Sequence, residues 1–207
     1  MGGPLLPVAV LTGPTGVGKT ALAIRLAQEL GAQIVNADSV QVYRELDIGA
    51  AKPTWEERAL VPHHLVDAVF PDEDFDAARY SLQGREVLAA LHAQGVPPLV
   101  VGGTGLYIRA LLEGIFEDGV RDESWRQQIR EELASQGLPA LYERLRRLDP
   151  ETAARLHEHD AFRIVRALEV IHATGRKMSE QQQKHDFADC PYRVLKVCLE
   201  RPREALY

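Results

Sequence analysis

Eight residues, Gly13-Pro14-Thr15-Gly16-Val17-Gly18-Lys19-Thr20, constrain this 207-residue chain more than any other stretch. They satisfy G-x-x-x-x-G-K-[ST] at every fixed position, and their flanks have the character that pattern requires. Val8-Ala9-Val10-Leu11 is an apolar run suited to a buried strand, and Ala21 to Leu30 is strong helix-forming sequence that stops at Gly31. Gly13, Gly16 and Gly18 allow successive backbone N–H groups to turn inward as an anion nest. The helix start adds a partial positive charge and Lys19 a full one. The Thr20 hydroxyl falls where a Mg²⁺ bridging two phosphates takes an oxygen ligand. Such a loop reads phosphate oxygens and nothing attached to them, so a nucleotide and any other diphosphate satisfy it equally.

The residues that follow continue a strand–helix alternation. Gln33-Ile34-Val35-Asn36 is the second strand, and it delivers Asp38 and Ser39 at the C-terminal sheet edge, where open α/β sheets carry their ligands. Residues 40–54 have no sustained period but are rich in polar groups, the composition of a binding loop. His64-Leu65-Val66-Asp67 is read as a third strand, with no metal role for the adjacent histidines. Phe75 to Gln94 is an amphipathic helix closed by Gly95, and Pro98-Leu99-Val100-Val101 returns to the sheet and ends in Gly102-Gly103-Thr104-Gly105. The fold class is therefore α/β: a parallel sheet flanked by helices, like that of P-loop NTPases. A nucleotide hydrolase should show an apolar strand ending in a metal-holding Asp. The clearest buried strand here ends in Gly-Gly-Thr, which counts against hydrolysis.

Beyond Glu117 the period becomes helical. Helices are expected over 122–136, 139–148, 150–159 and 160–175, then a polar hinge over 179–189, a strand over 192–199, and the start of a new helix over 203–207. This divides the chain into a core of 1–118, an inserted all-helical subdomain of 119–187, and a return to the core over 188–207. On the fourth helix Ile164, Leu168 and Ile171 share one face, while Phe162, Arg163 and Arg166 project away from it. A solvated surface is one reading of that outer ridge; a polyanion-facing one, with an aromatic platform and guanidinium groups, is the other.

Charge bears on that choice. The net charge of −6 disfavours a polyanion partner, but residues 1–120 hold 8 basic and 15 acidic residues whereas 121–207 hold 16 and 15. No apolar run reaches the length of a membrane span, and the N-terminus lacks a signal-peptide pattern. Two cysteines, Cys190 and Cys198, give neither a disulfide framework nor a metal spacing, which suits the cytoplasm.

Four stretches, taken together and in order, resemble the bacterial tRNA dimethylallyltransferases, also called tRNA isopentenyltransferases or the IPP transferase family. They are the loop Gly13–Thr20, the run Asp38-Ser39-Val40-Gln41-Val42-Tyr43 leading to Asp47-Ile48-Gly49-Ala50-Ala51-Lys52-Pro53, the block Val101 to Tyr107, and Asp160 to Glu169. Ala50 stands where that family commonly has Thr, and the chain ends before the family's C-terminal part, which adds RNA-contacting segments. The resemblance implies transfer of a dimethylallyl group from dimethylallyl diphosphate to the exocyclic amine of the adenosine just 3′ of the anticodon, position 37. It implies a monomeric cytoplasmic enzyme without membrane contact that uses Mg²⁺ held through Thr20. It also implies tRNA contacts at Asp38, Ser39, Val40, Gln41, Thr104, Arg126, Phe162, Arg163, Ile164, Val165 and Arg166. The chemistry agrees with it. Loop amides, Lys19 and the metal neutralise the diphosphate leaving group, and an adenine amine needs a base, for which Asp38 is the candidate, with Thr104 orienting the substrate. The alternatives are a transferase acting on free adenine nucleotides, a small-molecule kinase, and a non-catalytic RNA-binding module.

Overall fold

Strand and helix alternate through the N-terminal half of this computed structural model, in which residues 5–115, 122–185, 190–202 and 204 are described. The elements there are β1 (Leu6–Thr12), α1 (Lys19–Leu30), β2 (Gln33–Asn36), α2 (Trp55–Leu60), β3 (His63–His64), α3 (Ala77–Ala93), β4 (Pro98–Val101) and α4 (Gly105–Glu113). Near the C-terminus β5 (Tyr192–Cys198) completes a five-stranded sheet of order β3-β2-β4-β1-β5, parallel at every pairing. Side chains alternate across it. Val8, Val10, Val35 and Val100 pack with α3 and α4, whereas Leu11, Ile34, Leu99 and Val101 pack with Ala23, Ile24 and Ala27 of α1. Full burial of each such Val, Ile or Leu contributes roughly 1.5–3 kcal/mol, so both faces of the sheet are sealed by apolar contact.

Four readings for this part change. β3 is only two residues long, because Leu65 and Asp67 adopt positive φ values of 59° and 54° that no strand accommodates. α2 was not read from the sequence, although Thr54 and Glu57 form a reciprocal capping box at its start. Nor was α4, whose apolar residues Tyr107, Ile108, Leu111 and Leu112 are all buried. α3 begins at Ala77 because Asp76 caps it through the N–H groups of Ala78 and Arg79.

The chain divides into two compact units, Met1–Ile115 with Phe187–Tyr207, and Phe116–Asp186. The second contains α5 (Glu123–Gln136), α6 (Leu138–Leu148), α7 (Pro150–Arg155), α8 (Ala161–Thr174) and α9 (Met178–His185). Its own core joins Trp125 and Ile129 of α5, Leu141 and Leu145 of α6, Ala153 of α7, and Ile164, Ala167 and Leu168 of α8. Two boundaries differ from expectation. α7 stops at Arg155, with Leu156 extended, and part of the expected hinge is the helix α9. Asp149 accounts for the second. It is fully buried, its Oδ1 accepts from Thr152 N and Ser179 Oγ at 3.1 and 2.7 Å, and its Oδ2 accepts from Thr152 Oγ1 and Ser179 N at 2.6 and 2.9 Å. One carboxylate thus fixes the first turns of α7 and α9. The boundary expected at 118 and the helix expected over 203–207 fall on or among residues outside those described, as does the one at 187. Among the described residues no helix is long and apolar enough to cross a membrane.

Candidate active site

β1 delivers the chain into the phosphate loop, where Gly13, Gly16 and Gly18 all take positive φ (145°, 83° and 97°), as an inward-turned nest demands. Gly18 is the left-handed N-cap residue of α1, so Lys19 and Thr20 open the helix. Lys19 Nζ donates to the Gly13 and Pro14 carbonyls at 2.8 Å each, which anchors the side chain across the loop. Burial pulls the Lys19 ammonium below lysine's ordinary range, opposed by the Asp38 carboxylate and by Cys198. Val17 is the buried residue of the loop.

A cavity of about 410 Å³ opens beside the loop and gathers most of the expected residues. Thr15, Gly16, Gly18, Lys19 and Thr20 line one side, and Asp38, Val40 and Gln41 another. Asp38 reaches this place because β2 is held at its tip. Tyr80 of α3 donates from its hydroxyl to Asn36 O at 2.9 Å, and Asn36 Nδ2 donates to Leu65 O at 2.9 Å. Tyr80 in turn stacks on Tyr107 of α4, with ring centroids 4.2 Å apart, and burial pushes the Tyr107 phenol up to about 12. One carboxylate oxygen of Asp38, Oδ1, accepts from Val40 N and Gln41 N at 2.9 and 3.3 Å and so closes a tight turn. Among the described residues Oδ2 has no hydrogen-bond partner.

The glycines after β4 let the two strand ends meet. A Cβ on Gly102 would lie 2.1 Å from Ala37 O, and one on Gly103 would lie 3.4 Å from Gly13 O. Thr104, the residue before α4, makes no cap bond; its side chain turns to Ser39 instead.

Sequence reasoning missed what builds the far wall. Lys52 is 6% exposed at its side chain and bridges Asp47 and Asp67 at 2.8 and 2.6 Å, and Arg58 binds the second oxygen of Asp67 at 2.7 Å. Gln41 Nε2 donates to Ala50 O and Ala51 O at 3.1 and 2.9 Å. Together these bonds hold Gly49, Ala50, Ala51 and Pro53 against the cavity. His63 also lines it, and burial pulls that imidazole below histidine's ordinary range, so it is neutral at pH 7. A lysine among small residues carries no sequence mark of burial, so only the charged motif itself, Asp47 to Pro53, could have pointed to this wall. Among the described residues no cluster of three His, Cys, Asp or Glu side chains could hold a metal. The Thr20 hydroxyl lies in the cavity lining and fits a Mg²⁺ that takes its remaining ligands from phosphate and water.

In the helical unit the remaining candidates separate by burial. Phe162 is 82% exposed on α8, and Arg163 beside it pairs with Asp160 at 3.2 Å. Arg126 of α5 and Arg166 of α8 both clamp the nearly buried Glu169, one on each carboxylate oxygen, so they do not form a loose solvated ridge. Burial pushes the Glu169 carboxyl up, but the two guanidinium groups outweigh it and hold it below its usual range. Ile164 is fully buried in the unit's core, which takes its side chain out of the surface contacts, and the half-buried Val165 packs against that core. Helical periodicity puts Ile164 on the apolar face, whereas the motif match treats the whole run alike.

Residues 41–207 match the IPP transferase family, and residues 9–61, around the phosphate loop, match the ATPase family associated with various cellular activities. The chain is 56% identical over 202 residues to the tRNA dimethylallyltransferase of Syntrophobacter fumaroxidans, covering 98% of this chain and 59% of that protein. With the tRNA dimethylallyltransferase of Desulfosudis oleivorans it shares 53% identity over 200 residues, covering 97% and 64%. A eukaryotic dimethylallyltransferase solved while acting on tRNA is similar with a TM-score of 0.82 at 30% identity, covering 96% of this chain and 49% of that one. The full-length tRNA isopentenylpyrophosphate transferase of Bacillus halodurans gives 0.57 at 35%, covering 93% and 60%. The chain therefore spans about six-tenths of the length of the curated relatives it matches. Matched by the family over 167 of its residues and more than half identical to such relatives across nearly its whole length, the chain belongs to the IPP transferase family.

Proposed function

We propose that this chain carries the catalytic core of a tRNA dimethylallyltransferase, which moves a dimethylallyl group from its diphosphate to the exocyclic amine of the adenosine 3′ to the anticodon. One observation carries the proposal: the phosphate loop with Lys19 and Thr20, and the open oxygen of Asp38, face a single cavity at the edge of the sheet. Diphosphate is a good leaving group once its charge is neutralised, and the loop N–H groups and Lys19 are placed to do that. The adenine amine is conjugated into its ring and needs to lose a proton. Asp38 Oδ2 accepts that proton, the amine nitrogen bonds to the allylic carbon, and the carbon–oxygen bond breaks with its electron pair leaving on the diphosphate. Oδ1 stays engaged by the Val40 and Gln41 N–H groups, which keeps the carboxylate aimed. The Thr20 hydroxyl would hold a Mg²⁺ there, and that ion would supply further charge neutralisation on the diphosphate.

The acceptor has to leave its stack to reach such a pocket, and an anticodon loop offers bases that are already partly unstacked. The relatives' names support tRNA as that acceptor. The cytoplasm, where tRNA is found, is the corresponding site of action. The test is incubation of the full-length protein with dimethylallyl diphosphate, Mg²⁺ and either tRNA or AMP, followed by mass spectrometry. One added dimethylallyl group on tRNA and none on AMP is the expected result. Transfer to AMP alone, or a phosphoryl group moved from ATP to a small acceptor, would replace this reading.

A further inference from the structure

The segment that follows the Asp38 turn ends in the short helix α2, whose first residue is Trp55. Trp55 is 81% exposed and enters none of the apolar clusters formed by the described residues. It nevertheless stands on a fixed support. Thr54 and Glu57 close the helix start around it through reciprocal bonds of 2.8 and 3.2 Å. Arg58 lies over one face of the indole, its Cζ 5.4 Å from the ring centroid. That guanidinium is itself held, because its Nε donates to Pro53 O at 3.2 Å and its Nη1 binds Asp67 at 2.7 Å. Pro53 and Glu57, two residues to either side of Trp55, both line the cavity. Two residues span no more than about 7 Å of chain, so the indole stands at the cavity's rim.

We infer that Trp55, backed by Arg58, is a stacking platform for an unpaired RNA base next to the acceptor adenosine. This rests on tRNA being the acceptor, as in the proposed function. Drawing the acceptor base out of its stack and into the cavity leaves its neighbours in the loop with uncovered faces. A tryptophan held in one orientation offers such a base a flat apolar surface of matching size, at little cost in side-chain entropy. Position names the partner: the platform is continuous with the cavity, so the chain that carries the acceptor passes beside this ring. Charge selects the base over the backbone. Glu56 and Glu57 adjoin Trp55, while Lys52 and Arg58 are committed to Asp47 and Asp67, so a phosphate is repelled where a neutral base is not.

The test compares an anticodon stem-loop RNA with two versions of it that carry an abasic residue on the 5′ or the 3′ side of the acceptor. Each is titrated into the full-length protein and its Trp55→Ala and Trp55→Phe variants, and transfer by the parent to the intact RNA is followed by mass spectrometry. Trp55→Ala should weaken binding of the intact RNA about 10-fold with little change in salt slope, and Trp55→Phe should recover most of the loss. Toward one of the two abasic RNAs the parent and Trp55→Ala should bind alike, because the base that stacks is already gone. Affinity for inorganic diphosphate with Mg²⁺ should not move, and thermal melts should coincide. Equal binding of the intact RNA by parent and Trp55→Ala would overturn the inference, and so would a loss that persists undiminished with both abasic RNAs. A change in oligomeric state with RNA affinity intact would assign the ring to a second copy of the chain instead. In each of these cases transfer by the parent to the intact RNA leaves the proposed function standing. Failure of that transfer would overturn the tRNA reading and this inference with it.

Discussion

Thr104 Oγ1 accepts the Ser39 N–H at 2.9 Å and donates to Ser39 Oγ at 3.3 Å, tying the turn after β4 to the turn after β2. Asp38 sits one residue from that tie. Thr104→Val keeps the shape of the side chain but orphans the Ser39 N–H, so it should cost about 1 kcal/mol of stability and reduce kcat more than it raises KM. Steady-state kinetics beside a urea titration separates the two effects; unchanged kcat would mean that the tie does not aim Asp38.

Asp38→Asn retains an oxygen able to accept from Val40 and Gln41, and therefore should leave the turn and the fold intact. It cannot take a proton from the amine. Single-turnover transfer should fall by roughly 10²–10⁴-fold, the usual weight of a general base, with tRNA affinity little changed. A rate near that of the unaltered enzyme would remove Asp38 from the role.

Lys52→Met leaves the Asp47 and Asp67 carboxylates without their shared ammonium. Burial pushes Asp67 up, yet the hydrogen bonds from Lys52 and Arg58 outweigh it and hold the carboxyl below its usual range. The variant should lose about 1–3 kcal/mol of stability and raise KM for tRNA through the displaced Ala50–Ala51 wall. Lys52→Arg should recover part of both, and a thermal melt with a tRNA titration reads them.

For the helical unit the pH dependence has a defined sign. Burial pushes Asp149 up, but hydrogen bonds from Thr152 and Ser179 outweigh it, so its folded pKa lies below the unfolded one. Its contribution is therefore complete above about pH 4, the unfolded carboxylate's value, and is lost as pH falls through the folded pKa. Denaturant midpoints measured at neutral pH and across acid pH should converge for Asp149→Ala and the parent protein as the carboxyl protonates. A constant difference across that range would contradict the assignment.

Phe162 and Arg163 test the RNA face. Phe162→Ala should weaken tRNA binding by roughly 1–3 kcal/mol if the ring stacks on a base, with little change in salt dependence. Arg163→Ala should instead flatten the plot of log affinity against log salt by about 0.7–0.9 for one lost phosphate contact. Neither should move the melting temperature, since Phe162 is exposed and Arg163 pairs only at the surface with Asp160. Arg166→Ala differs, because it removes one of the two partners of Glu169 and should lower the melting temperature as well.

What was legible in the sequence is what short-range chemistry dictates. The glycines of the loop, the apolar runs 33–36 and 98–101, the cap at Asp160 and the stop at Gly175 each declare themselves within a few residues, and the structure has the corresponding strands and helix ends. The third strand failed because the positive φ at Leu65 and Asp67 follows from what those residues meet elsewhere, including the Lys52 and Arg58 bonds. The wall built by Lys52 was hidden for the same reason: its partners lie 5 and 15 residues away. Glu169 reads as an ordinary surface residue of a helix until Arg126, 43 residues earlier, is seen on the same carboxylate.

Seven consecutive rungs join β1 to β5, from Leu6 opposite Tyr192 to Thr12 opposite Cys198. During synthesis the first of these strands emerges long before the second, with the whole helical unit made in between. Until the last strand leaves the ribosome, β1 has an open edge, the kind of surface that invites wrong pairing. The phosphate-binding end of the molecule is thus encoded early and finished late, and a chaperone that shields β1 on the nascent chain would act at the step where this fold is most exposed to aggregation.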